Sequence, residues 1–251
     1  MLRLKRLAVL SLFLFCVVTG FLFWALRMGG QQAAGILLAP PQAVAQLGQL
    51  STNSTHALNV TKGIVDAEWL ARTAARTGIP ARALQAYAGA AAAANHGEAG
   101  CGIGWNTLAG IGFAESGHGT YGDGSLSASG QASRQIVGPS LNGTGFAAIA
   151  DTDGGALDGD ALWDHAVGPM QFIPSTWQIA GRDGNGDGTA DPANIDDAAV
   201  SAAFYLCAGG RDLVTDTGWA DAVYSYNQSD AYVNQVRDAA TAYAARAGAA
   251  S

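Results

Sequence analysis

Apolar residues recur along most of this chain at helical spacing, and Gly, Pro and Asp mark the places where that spacing fails. From Asp66 onward Trp69, Leu70 and Ala74 share one helical face, which predicts a helix that stops at Gly78-Ile79-Pro80. Pro80 can open a second helix through the Ala-rich stretch to Ala94. Trp105 to Ala114 predicts a third, with Glu115 near its C-terminal end. Further helices are predicted near Pro174–Ile179, Asp197–Cys207, Trp219–Tyr226 and Ser229–Ala247. Residues 117–165 are rich in Gly, Ser and Asp and read as loops, with room for a short hairpin. No strand-rich region and no internal repeat interrupts this pattern, so the expected fold is mainly α around a single core.

The N-terminus follows a different pattern. Arg3, Lys5 and Arg6 precede an uncharged run from Leu7 to Leu26, closed by Arg27. As a helix this run is roughly 30 Å long, one hydrocarbon core. The excess of basic charge before it predicts a cytoplasmic N-terminus and an exported remainder. A cleaved signal sequence is the alternative, but its apolar region usually spans only about 7–15 residues. The cleavage-like triplet Ala43-Val44-Ala45 lies far downstream. Cys16 follows bulky Phe15, which argues against a lipoprotein cysteine. Residues 1–27 are therefore read as a transmembrane anchor or signal sequence, 28–62 as a flexible linker and 63–248 as the folded domain. The expected location is the cell membrane, single-pass with the domain extracytoplasmic, or secreted if the N-terminus is cleaved.

Composition narrows the function classes. With 49% hydrophobic and 13% charged residues the chain is too apolar to be disordered. A net charge of −7 and only two lysines, Lys5 and Lys62, argue against nucleic acid as a partner. Abundant Ala, Gly and Asp point to a G+C-rich bacterial source. With Cys16 inside the apolar run, Cys101 and Cys207 are the pair left on the oxidising side, and a disulfide between them is expected.

Three stretches carry candidate chemistry. "GFAESGHGTYG", residues 112–122, holds Glu115, one of three glutamates against seventeen aspartates. Apolar surroundings raise a carboxyl pKa, and enzymes tune glutamates used as general acids to roughly 6–7. Gly110, Gly112 and Gly117 leave space in which a bulky substrate could approach the backbone. The plainer alternative is a solvated glutamate at a helix end. "AVGPMQFIPSTW", residues 166–177, sets the amide of Gln171 between Met170 and Phe172. That amide suits N-acetyl and hydroxyl groups of sugars, or else bonds internally at a helix start. "AVYSYNQSDAYV", residues 222–233, offers Tyr224, Tyr226 and Asn227 as ring faces and an amide, or as core.

In this order and spacing, Glu-Ser with Gly-His-Gly, then Gly-Pro-Met-Gln-Phe-Ile-Pro-Ser-Thr-Trp, then Tyr-Asn resemble the lytic murein transglycosylases. In detail the chain looks like their membrane-bound type B branch as found in actinobacteria, from about Asp66 to Tyr243. The resemblance implies a lysozyme-like (goose-type/transglycosylase) domain acting on peptidoglycan glycan strands, with Glu115 as the catalytic acid/base. It implies substrate contacts from Ser116, Met170, Gln171, Phe172, Tyr226 and Asn227, and cleavage of the MurNAc-(β1,4)-GlcNAc bond with formation of 1,6-anhydro-MurNAc. It needs one carboxylate, whereas two-carboxylate glycosidases need a second. A muramidase-type hydrolase, with Asp151, Asp153, Asp158, Asp160 or Asp164 positioning water, remains an alternative, as does a non-catalytic peptidoglycan-binding module. Cell-wall or secretion machinery is an expected partner class, and no organic cofactor is implied.

One further stretch reads as a metal loop. In "DGNGDGTADPANIDDA", residues 183–198, Asp183, Asn185 and Asp187 alternate before Gly188, as at the start of a calcium loop. Thr189 and Asp191 offer the next oxygens. Asn194 stands where a bidentate glutamate is usual, so Asp196 or Asp197 would substitute, Asp197 also fitting a helix cap. A structural Ca2+ held by Asp183, Asn185, Asp187, Thr189, Asp191 and Asp197 is expected, the alternative being an Asx-rich turn without an ion. No Cys/His zinc spacing is present. His118 is expected at the cleft edge and His165 in a structural role.

Overall fold

The computed structural model describes residues 38–48, 65–97 and 101–248. The apolar run Leu7–Leu26 lies outside them. Among the described residues no helix is long and apolar enough to cross a membrane.

Seven α-helices carry the described fold: α1 (Ala67–Thr77), α2 (Ala81–Gly97), α3 (Trp105–Ser116), α4 (Pro174–Ala180), α5 (Ile195–Cys207), α6 (Asp216–Tyr226) and α7 (Asp230–Gly248). Local chemistry fixes their ends. The Asp66 carboxylate accepts the Trp69 N–H and caps α1, which closes on Gly78 in the left-handed conformation. Pro174 opens α4, where its missing N–H costs nothing. A two-stranded antiparallel sheet, β1 (Val137–Ser140) with β2 (His165–Val167), pairs Val137 with Val167 and Ser140 with His165 across an irregular register. A short hairpin is expected within residues 117–165; instead β2 runs past that region, and residues 141–164 separate the two strands.

Small residues let the central helices approach closely. Ala83, Ala86, Ala90 and Ala94 of α2 and Ala198, Ala199, Ala202 and Ala203 of α5 are all fully buried. α3 packs most extensively against α7. A Cβ at Gly110 would stand 2.7 Å from the Val236 carbonyl oxygen of α7, and one at Gly112 would collide with the Tyr87 hydroxyl. These two glycines therefore make room for protein neighbours, which corrects the expectation that they admit substrate. Cys101 and Cys207 form a disulfide with Cα atoms 5.4 Å apart, tying the segment before α3 to the end of α5.

Residues 38–48 depart from the linker expected over 28–62. They run extended along the start of α3 and bond to it. Gly104, the residue preceding α3, has no capping side chain. Instead, Gln42 Oε1 accepts from Gly104 N–H at 2.7 Å and from Thr107 Oγ1 at 2.9 Å. Trp105 N–H donates to the Ala43 carbonyl, and Asn106 bonds the strap on both sides through Ala43 N–H and the Pro41 carbonyl. The strap thus satisfies N–H groups that a helix start leaves open. The sequence hides it because extended backbone carries no helical period.

Candidate active site

Glu115 stands in the last turn of α3, half-buried, and lines a cleft of about 450 Å³ with Tyr121, Ile136, Val137, Gly138, Pro139 and Gln171. Its Oε1 accepts a 2.5 Å hydrogen bond from the hydroxyl of Tyr232, near the start of α7. Burial raises its pKa from the ordinary 4.5 to about 7, against the lowering effect of the Tyr232 bond. Tyr232 is itself buried, and burial together with the nearby Glu115 charge pushes its own ionisation far upward, so it stays a donor. With Oε1 engaged, Oε2 is the oxygen left to meet a ligand.

The other half of the site is a tight turn between β2 and α4. Val167 and Phe172 exchange both backbone hydrogen bonds around Gly168-Pro169-Met170-Gln171. Gly168 is required there: its φ is +77°, and a Cβ would strike the Pro192 carbonyl. Gln171 takes a left-handed φ of 51° without being glycine. Its Nε2 donates to the carbonyls of Gly168 (2.9 Å) and Ile136 (3.3 Å), which fixes the amide and leaves Oε1 as an acceptor beside Gly138.

Two neighbours bolt this turn in place. Ser116 Oγ donates to the Pro169 carbonyl at 2.6 Å, and Tyr226 OH donates to the Met170 carbonyl at 2.8 Å. The three sequence stretches are therefore joined by hydrogen bonds, with Glu115, Tyr121 and Gln171 as the members that reach the cleft.

Five expected substrate contacts are corrected or moved. Ser116 is buried and spends its hydroxyl on Pro169 and on Gly119 N–H. Met170 is fully buried in the core rather than lining the cleft. Phe172 is buried edge-on against Trp177 and Tyr226. Asn227 ends α6 with an exposed side chain outside the cleft lining. Tyr226 is half-buried and acts on the site through Met170.

Of the two histidines, His118 departs from the expectation. His118 is not at a cleft edge. It is buried, its ring nitrogens 3.3 Å from the Tyr87 hydroxyl and 2.9 Å from that of Tyr243. Burial lowers its pKa to about 4, which keeps it neutral. His165 is the histidine near the cleft wall, with Nδ1 2.8 Å from the Gly138 carbonyl and Nε2 3.2 Å from Asp160 Oδ2. The Gly138 hydrogen bond and the charges of Asp158 and Asp160 raise its pKa above the usual value, burial opposing them.

The aspartates that hydrolysis would call on are engaged elsewhere. Asp151, Asp153 and Asp164 bring oxygens within 4.8 Å of one another. Asp151 accepts from the N–H groups of Asp153, Gly154 and Gly155, and Asp153 from Gly155, Ala156 and Leu157. Asp164, fully buried, takes the Thr152 N–H and hydroxyl. Asp158 takes the N–H groups of Asp160 and His165. None of these aspartates lines the cleft, where Glu115 is the sole acidic side chain among the described residues.

The loop at 183–197 is an interlocked Asx structure. Asp183 accepts from Gly186, Asp187 and Gly188, Asn185 from Asp187, and Asp187 from Thr189. Asp191 accepts from Ala193 N–H and Gln131 Nε2. Asp197 is fully buried beneath the loop, accepting from Gly184, Asn185 and Asp191. Burial raises its pKa to about 6, and the Asp183 charge adds to the rise. The cap of α5 is Asn194, not Asp197. Asp196 pairs with Arg82 and is thereby removed from the loop. Among the described residues the acidic side chains whose oxygens converge within 4.8 Å are Asp151, Asp153 and Asp164, and no three carboxylates of this loop do so.

Tyr232 and the wall Ile136–Pro139 are the parts of the site that sequence reasoning passed over. Tyr232 lies inside the third stretch, and its signal was available: a tyrosine on a helix's buried face needs a partner for its hydroxyl. The wall left no signal, because "IVGPS" carries neither charge nor period.

Residues 150–220 match the family model of the transglycosylase SLT domain. No curated protein and no solved structure matches the chain. The matched segment holds the Gln171 turn, the aspartate loop, α4, α5 and the start of α6, and it begins after Glu115 and ends before Tyr226. With the mainly helical fold, this match supports a lytic transglycosylase-type domain.

Proposed function

We propose that the chain is a peptidoglycan lytic transglycosylase that cleaves the MurNAc-(β1,4)-GlcNAc bond and leaves 1,6-anhydro-MurNAc. One observation carries this reading: a single carboxyl in the cleft, with pKa about 7 and one oxygen held by Tyr232. Such a group can give a proton and take one back near neutral pH. Glu115 protonates the bridging oxygen as the C1–O bond breaks, and GlcNAc departs with a free 4-hydroxyl. The carboxylate then takes the proton of the C6 hydroxyl of the same MurNAc, and O6 closes on C1. Atoms balance without water, so no second carboxylate is needed. Tyr232 holds Oε1 and turns Oε2 toward the bond. Gln171 Oε1 accepts from a substrate N–H or O–H, its own N–H groups being taken.

The Leu7–Leu26 run is proposed to anchor the domain on the outer face of the cell membrane, within reach of the glycan strands and of wall or secretion machinery. The membrane-bound type B branch is the proposed affiliation within the family, and an actinobacterium the proposed source.

Calcium is proposed for the 183–197 loop. Asp183, Asn185, Asp187 and Asp191 would supply side-chain oxygens, Thr189 its carbonyl, and Asp197 support from below. A bound cation would neutralise charge and stiffen the segment after the Gln171 turn, with no part in bond cleavage.

The test is digestion of purified peptidoglycan with the full-length chain and mass spectrometry of what is released. The reading predicts soluble muropeptides from the wild type and loss of release in Glu115→Gln. Release by Glu115→Gln at the wild-type rate would contradict it, and no release by either would favour the binding module.

A further inference from the structure

Tyr121 is 70% exposed, yet the backbone that carries it is tightly constrained. His118 (φ 66°) and Asp123 (φ 61°) on either side are left-handed without being glycine. Non-glycine residues rarely take this conformation, and where surroundings enforce it the site is often functional. The enforcement is visible. The His118 ring is wedged between Tyr87, Phe113 and Tyr243. Gly119 N–H donates to Ser116 Oγ at 2.8 Å, and Thr120 Oγ1 donates to the Gly117 carbonyl at 2.8 Å. The result is a fixed turn that presents one large side chain, whose ring and hydroxyl have no partner among the described residues. That ring lines the same cavity as Glu115, with Val137, Gly138 and Pro139.

We propose that Tyr121 is a substrate-positioning residue whose ring takes the apolar C–H face of a pyranose bound beside Glu115. The inference rests on the glycan reading above and gives a role to a residue that lies before the family match, in the first stretch but past its Glu-Ser and Gly-His-Gly. A β1,4-linked pyranose in its chair form carries its polar groups at the rim and C–H groups on its faces. An aromatic side chain buries such a face while the rim stays hydrated. Gly138, where a Cβ would come within 2.8 Å of Gln171 Oε1, keeps the adjoining wall thin enough for the sugar rim to reach the amide. A backbone turn fixed in advance loses little freedom on binding, which favours affinity.

The probe is a β1,4-linked N-acetylglucosamine tetramer, titrated calorimetrically into the full-length Glu115→Gln chain so that no bond is cleaved. Adding Tyr121→Ala should weaken binding about tenfold, and Tyr121→Phe should restore it to within about twofold, since the ring and not the hydroxyl is used. Phe as weak as Ala, or Ala as tight as the parent, overturns the assignment while leaving the glycan reading intact. A parent chain that binds no tetramer overturns both.

Discussion

Glu115, half-buried at the cleft, and Asp197, fully buried beneath its loop, are two carboxyls that the fold treats differently. Burial raises both, Glu115 to about 7 and Asp197 to about 6. Asp197 is closed off on every side and accepts three backbone N–H groups. Glu115 accepts one hydroxyl and keeps its second oxygen on a cleft. A raised pKa alone therefore does not mark the reactive carboxyl. The distinguishing feature is an oxygen left without a protein donor where a ligand can enter, because proton transfer needs direct reach. Asp197 instead uses its oxygens to organise a loop, and its cost of burial is offset by those donors and by any cation they attract.

The largest expected difference between the two is catalytic. Glu115→Gln should lower turnover by about 10²–10⁴-fold, measured as muropeptide release. It should also stabilise the protein, in a pH-dependent way. Glu115 titrates near 4.5 unfolded and about 7 folded, so between these values the folded state holds the extra proton. Stability is then fully retained below about 4.5 and falls as pH rises toward 7, by up to about 3 kcal/mol. Urea unfolding should find Glu115→Gln more stable than wild type at pH 8 and equal to it at pH 4. Equal stability at both would mean that the wild-type carboxyl is not strained by burial.

Asp197→Asn should act in the opposite direction. One side-chain oxygen becomes an N–H2 that faces the Asp191 N–H, and a buried acceptor is lost. A loss of roughly 1–3 kcal/mol in urea unfolding at pH 7.5 is expected. No loss would mean that the loop does not depend on this carboxylate. The smallest effect concerns calcium. Weak binding in the range of roughly 10⁻⁴–10⁻³ M gives, at millimolar calcium, about 0.4–1.4 kcal/mol of stabilisation. Thermal unfolding with calcium and with chelator should differ by that amount in wild type and not in Asp187→Ala. An unshifted wild-type transition up to tens of millimolar calcium would leave the loop as a turn without an ion.

The same contrast explains what could be read from the sequence. The first helix was legible from its 3.6-residue period, and others from a stop or cap: Gly78-Pro80, Pro174 and the Asp-rich approach to α5. Glu115 was legible as a rare glutamate after an apolar run, and Gln171 as an amide between Met170 and Phe172. The assignment of Ser116, Met170 and Phe172 to substrate failed for a common reason. In the tight turn and at the end of α3 that bolts it, neighbouring residues face either the cleft or the protein, and only three-dimensional contacts decide which is which. His118 failed because its glycine neighbours looked like an open edge, whereas the left-handed backbone turns its ring into the core. The 38–48 strap and the Ile136–Pro139 wall are held by long-range backbone bonds, which leave no local pattern.

One carboxyl, first acid and then base, is proposed to complete the reaction without water. Digesting peptidoglycan in H2¹⁸O and weighing the new glycan ends tests it most directly. The account predicts anhydro-MurNAc ends free of ¹⁸O from the wild type, with Glu115→Gln releasing none. Reducing MurNAc ends that carry one ¹⁸O would contradict it and assign the chain to hydrolysis.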